Sequence, residues 1–137
     1  MPQSVKLLII ADHASNYIPK KYNNLGLKKK DIFTHKAYDP GVKELAINLS
    51  KKLNSQLVLG EYSRLLIDCN RDLDDPTLIS VISDRKLILG NLKITKQERI
   101  NRINKMYKPY HEKIKKEISE KKINIIISLH SFNPIFK

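Results

Sequence analysis

A chain of 137 residues with 41% hydrophobic and 29% charged positions, four Gly and six Pro is one domain's worth of sequence able to bury a core, which excludes low-complexity and collagen-like classes. Its longest uncharged apolar runs, Leu7–Ala11 and Ile123–Leu129, fall far short of the roughly 20 residues a membrane span needs, and Cys69 as the sole cysteine excludes a disulfide framework or a cysteine-rich zinc module. The 26 basic against 14 acidic residues give +12, but Lys outnumbers Arg 21 to 5, which suits solvated faces better than the bidentate phosphate and base contacts that favour Arg.

The N-terminus reads Met-Pro-Gln-Ser and meets a charge at Lys6, without the basic start and small-residue cleavage site of a signal peptide, so a cytoplasmic protein is expected. Val5–Ala11 is a short, β-branched apolar run ending in Asp12-His13-Ala14-Ser15-Asn16, the pattern of a buried strand with polar groups at its end. Tyr17–Lys30, with Pro19, Gly26 and three consecutive Lys, reads as surface loop and short turns.

Asp39-Pro40 predicts an N-cap and first-turn proline for an amphipathic helix carrying Val42, Leu45, Ala46, Leu49 and Leu53. Gln56–Gly60 and Arg64–Asp68 predict two more strands, the second ending in Asp68-Cys69-Asn70-Arg71. Gly90-Asn91 reads as a turn, ahead of the alternative in which Asn91 completes a polar pocket wall.

Thr95 with Glu98 forms a capping box, and Ile100, Ile103, Tyr107, Tyr110, Ile114 and Ile118 continue at helical spacing. Pro109 inside this pattern predicts a kink or a restart, and the tyrosines are expected in the core. Lys93–Lys122 carries 11 basic and four acidic residues, most of which should face water. Ile123–Leu129 is the last strand and ends in His130-Ser131.

Strands alternating with helices predict a single α/β domain over 1–137, a mostly parallel open sheet flanked by helices, with ligands bound outside the carboxyl ends of the strands. Three polar clusters meet that rule: Asp12–Asn16, Asp68–Arg71 and His130-Ser131-Phe132. A His fixed at a strand end beside a carboxylate suits a metal ligand, and two such His strengthen the case, against the plainer reading in which each ring only hydrogen-bonds at the sheet edge. Arg71 next to them suits bidentate capture of a substrate carboxylate, rather than a surface ion pair.

These residues resemble the N-formylglutamate amidohydrolase family, whose fold is related to zinc carboxypeptidases and is phosphorylase/hydrolase-like. The resemblance rests on His13-Ala14-Ser15-Asn16 with Ile18-Pro19, His35, Tyr38-Asp39-Pro40-Gly41, Tyr62 through Arg71, Gly90-Asn91, and Leu129 through Pro134. It implies hydrolysis of N-formyl-L-glutamate, or a related N-acyl amino acid, to formate and glutamate, a step of histidine breakdown, with a divalent metal as cofactor, zinc first, and iron, manganese or cobalt as the alternatives a His and oxygen site also takes. It places His13 and His130 on the metal. Asn16 stands where the carboxypeptidase-like His-x-x-Glu pair has its carboxylate, so Asn16 fills the third ligand position unless Asp12 or Asp68 supplies it.

Asn70 and Arg71, with Arg64 and Ser131, are implied for substrate binding, and Asp12 and Asp68 as the catalytic carboxylates, either orienting a ligand or acting as base. Members of the family are about twice this length, so the match is to an N-terminal half. In carboxypeptidase-like enzymes the general-base Glu lies in the later region, and Glu61 is a poor substitute. An edge left unpaired by the later strands predicts a homodimer. The competing expectations are a catalytically silent relative and a nucleic-acid or anionic-surface binder using the Lys-rich helix. Low Arg content and the lack of aromatic interleaving weigh against the binder, and the partner expected first is a small N-acyl amino acid.

Overall fold

The computed structural model describes residues 4–133; Pro134, the last residue of the His-Ser-Phe-Asn-Pro motif, lies outside them. Strand β1, Leu7–Ala11, is the middle of a three-stranded parallel sheet in the order β2-β1-β5, with β2 at Gln56–Leu59 and β5 at Ile125–Ser128. Leu8 pairs with Gln56 on one side and with Ile126 on the other. Leu8, Ile9 and Ala11 of β1 are fully buried, because a central parallel strand is covered on both faces.

The first crossover is α2, Val42–Leu53, which packs Val42 and Ala46 against Ile9 and Ala11 and ends with Asn54 in a left-handed conformation. The opposite face of the sheet takes the second crossover, where Tyr110 and Ile114 meet Leu8 and Val58. The two later strands flank β1 on opposite sides and are reached by crossovers on opposite faces of the sheet, which makes the carboxyl end of β1 a switch point where open sheets form a crevice. Gly60 belongs to this closeness: a Cβ there would stand 1.9 Å from the Asp12 carbonyl oxygen, so only glycine lets the end of β2 lie against the end of β1.

The long helix forms as α3, Lys96–Arg102, and α4, Lys108–Lys121, joined by a π-helical turn over Ile103–Tyr107. Thr95 caps it by accepting from the Glu98 amide. The widened turn, with the Lys108 amide on the Ile103 carbonyl, takes up the ring and missing N–H of Pro109 without ending the helix. All nine lysines from Lys93 to Lys122 are exposed, as expected, interspersed with Glu112 and Glu120.

Two expectations are corrected. Arg64–Asp68 is not a strand. Its Leu65, Leu66 and Ile67 are buried in the largest apolar cluster, but the backbone bonds locally and to loops, with the Arg64 amide on the Ala37 carbonyl and the Asp68 amide on that of Leu78. A buried apolar loop has the same hydrophobic signature as a buried strand.

Asp39 is likewise no N-cap. Asp39-Pro40-Gly41 forms a turn closed by the Val42 amide on the Asp39 carbonyl, Gly41 takes φ 79°, and α2 has no side-chain cap. Asn91 does more than close a turn: its buried amide donates to the Leu65 and Ser80 carbonyls at 2.8 Å each.

A short 3-10 segment, Lys20–Gly26, and the single-turn α1, Lys29–Ile32, fill the expected loop. A two-stranded hairpin, β3 Ile82–Ser83 and β4 Lys86–Leu87, was not anticipated from the sequence. Strand β5 lies at the sheet edge with Ile125 and Ile126 about half exposed.

Candidate metal centre

The carboxyl ends of β1 and β5 bring His13 and His130 together, their ring centroids 5.2 Å apart. Asp39 arrives from the other direction, because its amide bonds the His13 carbonyl and the Pro40-Gly41 turn folds its side chain back over the end of β1. Candidate ligand atoms of His13, Asp39 and His130 all lie within 4.8 Å of one another. The sequence signal for Asp39 was present but pointed to a cap, since Asp before Pro reads equally well as a helix start.

Each histidine has a carboxylate behind it. His13 Nε2 lies 2.6 Å from Asp68 Oδ1, and the other Asp68 oxygen takes the Arg64 guanidinium at 2.9 Å. His130 Nδ1 lies 3.1 Å from Asp39 Oδ2, while its Nε2 lies 3.4 Å from Asp12 Oδ2. The Ser131 amide also donates to Asp39 Oδ2, at 3.2 Å.

His13 Nδ1 is the telling atom. It is buried without a hydrogen-bond partner, with Asp39 Oδ1 at 3.5 Å. With Nε2 committed to Asp68, the Nδ1 lone pair points into the cluster, the arrangement in which a carboxylate fixes the tautomer of a metal-ligating imidazole. Asp12, Asp39 and Asp68 are three buried carboxylates of which Arg64 reaches only Asp39 and Asp68, an accumulation of negative groups that suits a divalent cation. The residues therefore fit a metal held by His13, Asp39 and His130.

Asn16, expected as a ligand, donates its side-chain amide to the Ile32 carbonyl at 3.1 Å. A cavity of about 460 Å³ opens beside the cluster, lined by Asp39, Asp68, Arg64, Arg71, Ser131 and the β3–β4 hairpin. Arg64 lines it while held by Asp68, whereas Arg71 lines it as an exposed residue.

Asn70 donates its backbone N–H to Asp68 Oδ1 and lines a neighbouring cavity with Tyr107 and His111. His35 and Lys36 reach the cavity and pair with Asp84 at the hairpin tip, at 3.3 and 3.7 Å. Glu61 lines a separate pocket with Met106 and Tyr110. Burial, with Asp12 and Asp68 nearby, pushes the Cys69 thiol up to about 12, which removes it as a nucleophile at neutral pH.

Burial alone lowers the His13 pKa, but the carboxylates of Asp39 and Asp68 outweigh it and raise the ring above 6.5. Burial likewise raises Asp39 and Asp68, yet His13, the Ser131 amide at Asp39 and Arg64 at Asp68 hold both below their ordinary 3.8. In metal-free protein the His13 contribution to stability is complete below pH 6.5 and is lost as pH rises through the raised folded value. The carboxylate contribution is present above pH 3.8 and is lost as pH falls through the lowered values.

Melting of the protein in chelator is expected to be highest between these limits and to decline above neutrality. A melting temperature still rising beyond pH 8, about 1.5 units past the ordinary His value, would contradict the His13 assignment.

A family model described as N-formylglutamate amidohydrolase matches residues 5–137. Among solved structures, a gene product of Agrobacterium tumefaciens matches with a TM-score of 0.92 and 35% identity, over 96% of this chain and 54% of that one. The chain thus spans about half the length of that relative. No curated protein matches.

Proposed function

The chain belongs to the N-formylglutamate amidohydrolase family, and from that premise we propose that its strand-end cluster is the metal-binding half of a zinc-dependent hydrolase acting on N-formyl-L-glutamate or a similar N-acyl amino acid. The orphaned, buried Nδ1 of His13, facing Asp39 and His130, carries this reading. Zinc held there by His13, Asp39 and His130 would supply Lewis-acid polarisation of the amide carbonyl and activation of water near neutral pH.

The chain's own groups have distinct tasks. Asp68 holds His13 in the tautomer that leaves Nδ1 free, and Arg64 keeps Asp68 ionised and stationary. Asp12 lies 3.4 Å from His130 Nε2, a looser contact that shares this nitrogen with the Ser128 hydroxyl at 3.2 Å. Both carboxylates are thereby engaged, so orienting a ligand is the role their contacts support, ahead of acting as base.

Arg71, an exposed cation of the cavity lining, is the group we assign to the substrate's α-carboxylate, with Ser131 and the hairpin polar groups in the same lining. Lys36, offset by Asp84, is the next cation along the wall and suits the second carboxylate of a dicarboxylic substrate. The half-exposed isoleucines of edge strand β5 support contact between two copies through that edge. Among the described residues no helix is long and apolar enough to cross a membrane.

Elemental analysis of purified, zinc-reconstituted protein is expected to find about one zinc per chain, and a His13→Ala/His130→Ala variant to lose it. Formate release from N-formyl-L-glutamate then tests turnover. Arg71→Ala should raise the substrate Kd or KM about 10- to 100-fold, the loss of a bidentate carboxylate contact, with zinc content unchanged. Zinc absent from the unaltered protein after reconstitution would sink the metallohydrolase reading, and equal losses of zinc and substrate binding in Arg71→Ala would contradict its assignment.

A further inference from the structure

Tyr110 was expected as core filling, and it is buried against Leu8 and Val58, but its hydroxyl has a specific destination. It donates to Asp12 Oδ1 at 2.6 Å, a short bond between two side chains that are each 7% exposed. The second oxygen of Asp12 faces His130 Nε2 at 3.4 Å, beside the Ser128 hydroxyl that bonds the same nitrogen at 3.2 Å. One end of the carboxylate is therefore pinned and the other aimed, and Asp12 cannot rotate away from His130 without leaving the phenol unpaired in the core.

The other histidine shows the same construction. Asp68 reaches His13 with Oδ1 and is held at Oδ2 by the Arg64 guanidinium. Each imidazole thus has a carboxylate behind it and each carboxylate an anchor, a guanidinium in one case and a phenol in the other.

The π-helical turn bears on the placement of Tyr110. One extra residue in a turn rotates the helix beyond it by about 100° relative to the helix before it, and the turn ends three residues before Tyr110. Tyr107 and His111 on the same stretch bond the carbonyls of Arg71 and Cys69, so this part of the helix braces the end of β1 and the Asp68–Arg71 loop at once.

We infer that Tyr110 is a positioning residue of the metal centre, acting through Asp12 to hold His130 in its ligating orientation. The inference rests on the proposed metal site. Burial and the Asp12 carboxylate both push the phenol's pKa above its usual value, so the hydroxyl remains a donor at any working pH.

The test is zinc affinity, by competition with a chromophoric chelator, for the unaltered protein and for Tyr110→Phe, Tyr107→Phe, Asp12→Asn and Asp12→Asn/Tyr110→Phe. Tyr110→Phe is expected to weaken zinc binding about 10-fold, within the range that loss of an outer partner costs a metal site. Tyr107→Phe, which removes a hydroxyl of the same helix from the Arg71 carbonyl only, should stay within about twofold, and the double variant should bind no more weakly than Asp12→Asn. Cobalt substituted for zinc should show an altered visible spectrum in Tyr110→Phe and an unaltered one in Tyr107→Phe.

Zinc affinity of Tyr110→Phe within twofold of the unaltered protein, or a loss matched by Tyr107→Phe, would overturn the inference and leave the metal site standing. Should Tyr110→Phe fail to fold, Asp12→Asn carries the same test from the other end of the bond, and its binding zinc normally would overturn the inference. Failure of the unaltered protein to bind zinc at all would overturn both readings.

Discussion

Replacing Asp39 with Asn is expected to lower zinc affinity by well over 100-fold, beyond the roughly 10- to 100-fold that loss of an outer partner costs, while helix α2 stays folded. The choice of Asn is what makes this informative. Asn caps helices as well as Asp does, so a residue serving only the start of α2 would tolerate the exchange. The structure gives Asp39 no capping bond and places its carboxylate between His13 and His130, with Oδ2 also taking the Ser131 amide.

An amide at that position keeps one oxygen but loses the charge that the two histidines and a divalent cation require. Chelator competition gives the affinity, and far-ultraviolet circular dichroism with a thermal melt reports on the helix. Zinc binding within a few fold of normal would remove Asp39 from the ligand set and return the third position to Asn16, Asp12 or Asp68.

Replacing Arg102 with Met is expected to destabilise the domain by about 3 kcal/mol, a large share of the 5 to 15 kcal/mol typical of folded domains. Arg102 is 2% exposed, in a segment whose other basic residues mostly face solvent. Its guanidinium donates to the Leu66 carbonyl at 3.0 Å, to Asn91 Oδ1 at 2.8 Å and to Glu98 at 3.0 Å, and lies 4.9 Å from the centre of the Tyr22 ring. Met fills similar volume but leaves the carbonyl and amide oxygens buried without a donor, which is the expensive outcome. Glu98 is 30% exposed and can rehydrate, which keeps the loss near the lower end for broken buried pairs. Denaturant unfolding measures it, and a change below about 1 kcal/mol would show that the acceptors find water instead.

Arg102 and Asp39 share a reason for escaping a reading of the sequence. Each has a respectable local role, a solvated helix charge and a cap before proline, and each is given a different one by segments distant in the chain: Arg102 by Leu66 and Asn91, Asp39 by His13 and His130. Leu65, Leu66 and Ile67 show the converse, because their burial was correctly implied while their backbone partners, Ala37 and Leu78, set a loop and not a strand.

The sequence by itself determined the parts whose signals are local: the apolar runs that become β1 and β5, the 3.6-residue spacing of α2, the Thr95 cap, and polar clusters directly after strands, including both histidines. It also carried the family, through ordered motifs along the chain. Only the tertiary structure decided that β1 lies between β2 and β5, that Asp39 turns back onto the two histidines, and that Tyr110 and Arg64 anchor the carboxylates behind them. Periodicity and caps arise from neighbours within a few residues. The directions of buried side chains are set instead by packing and hydrogen-bond satisfaction between segments up to about a hundred residues apart.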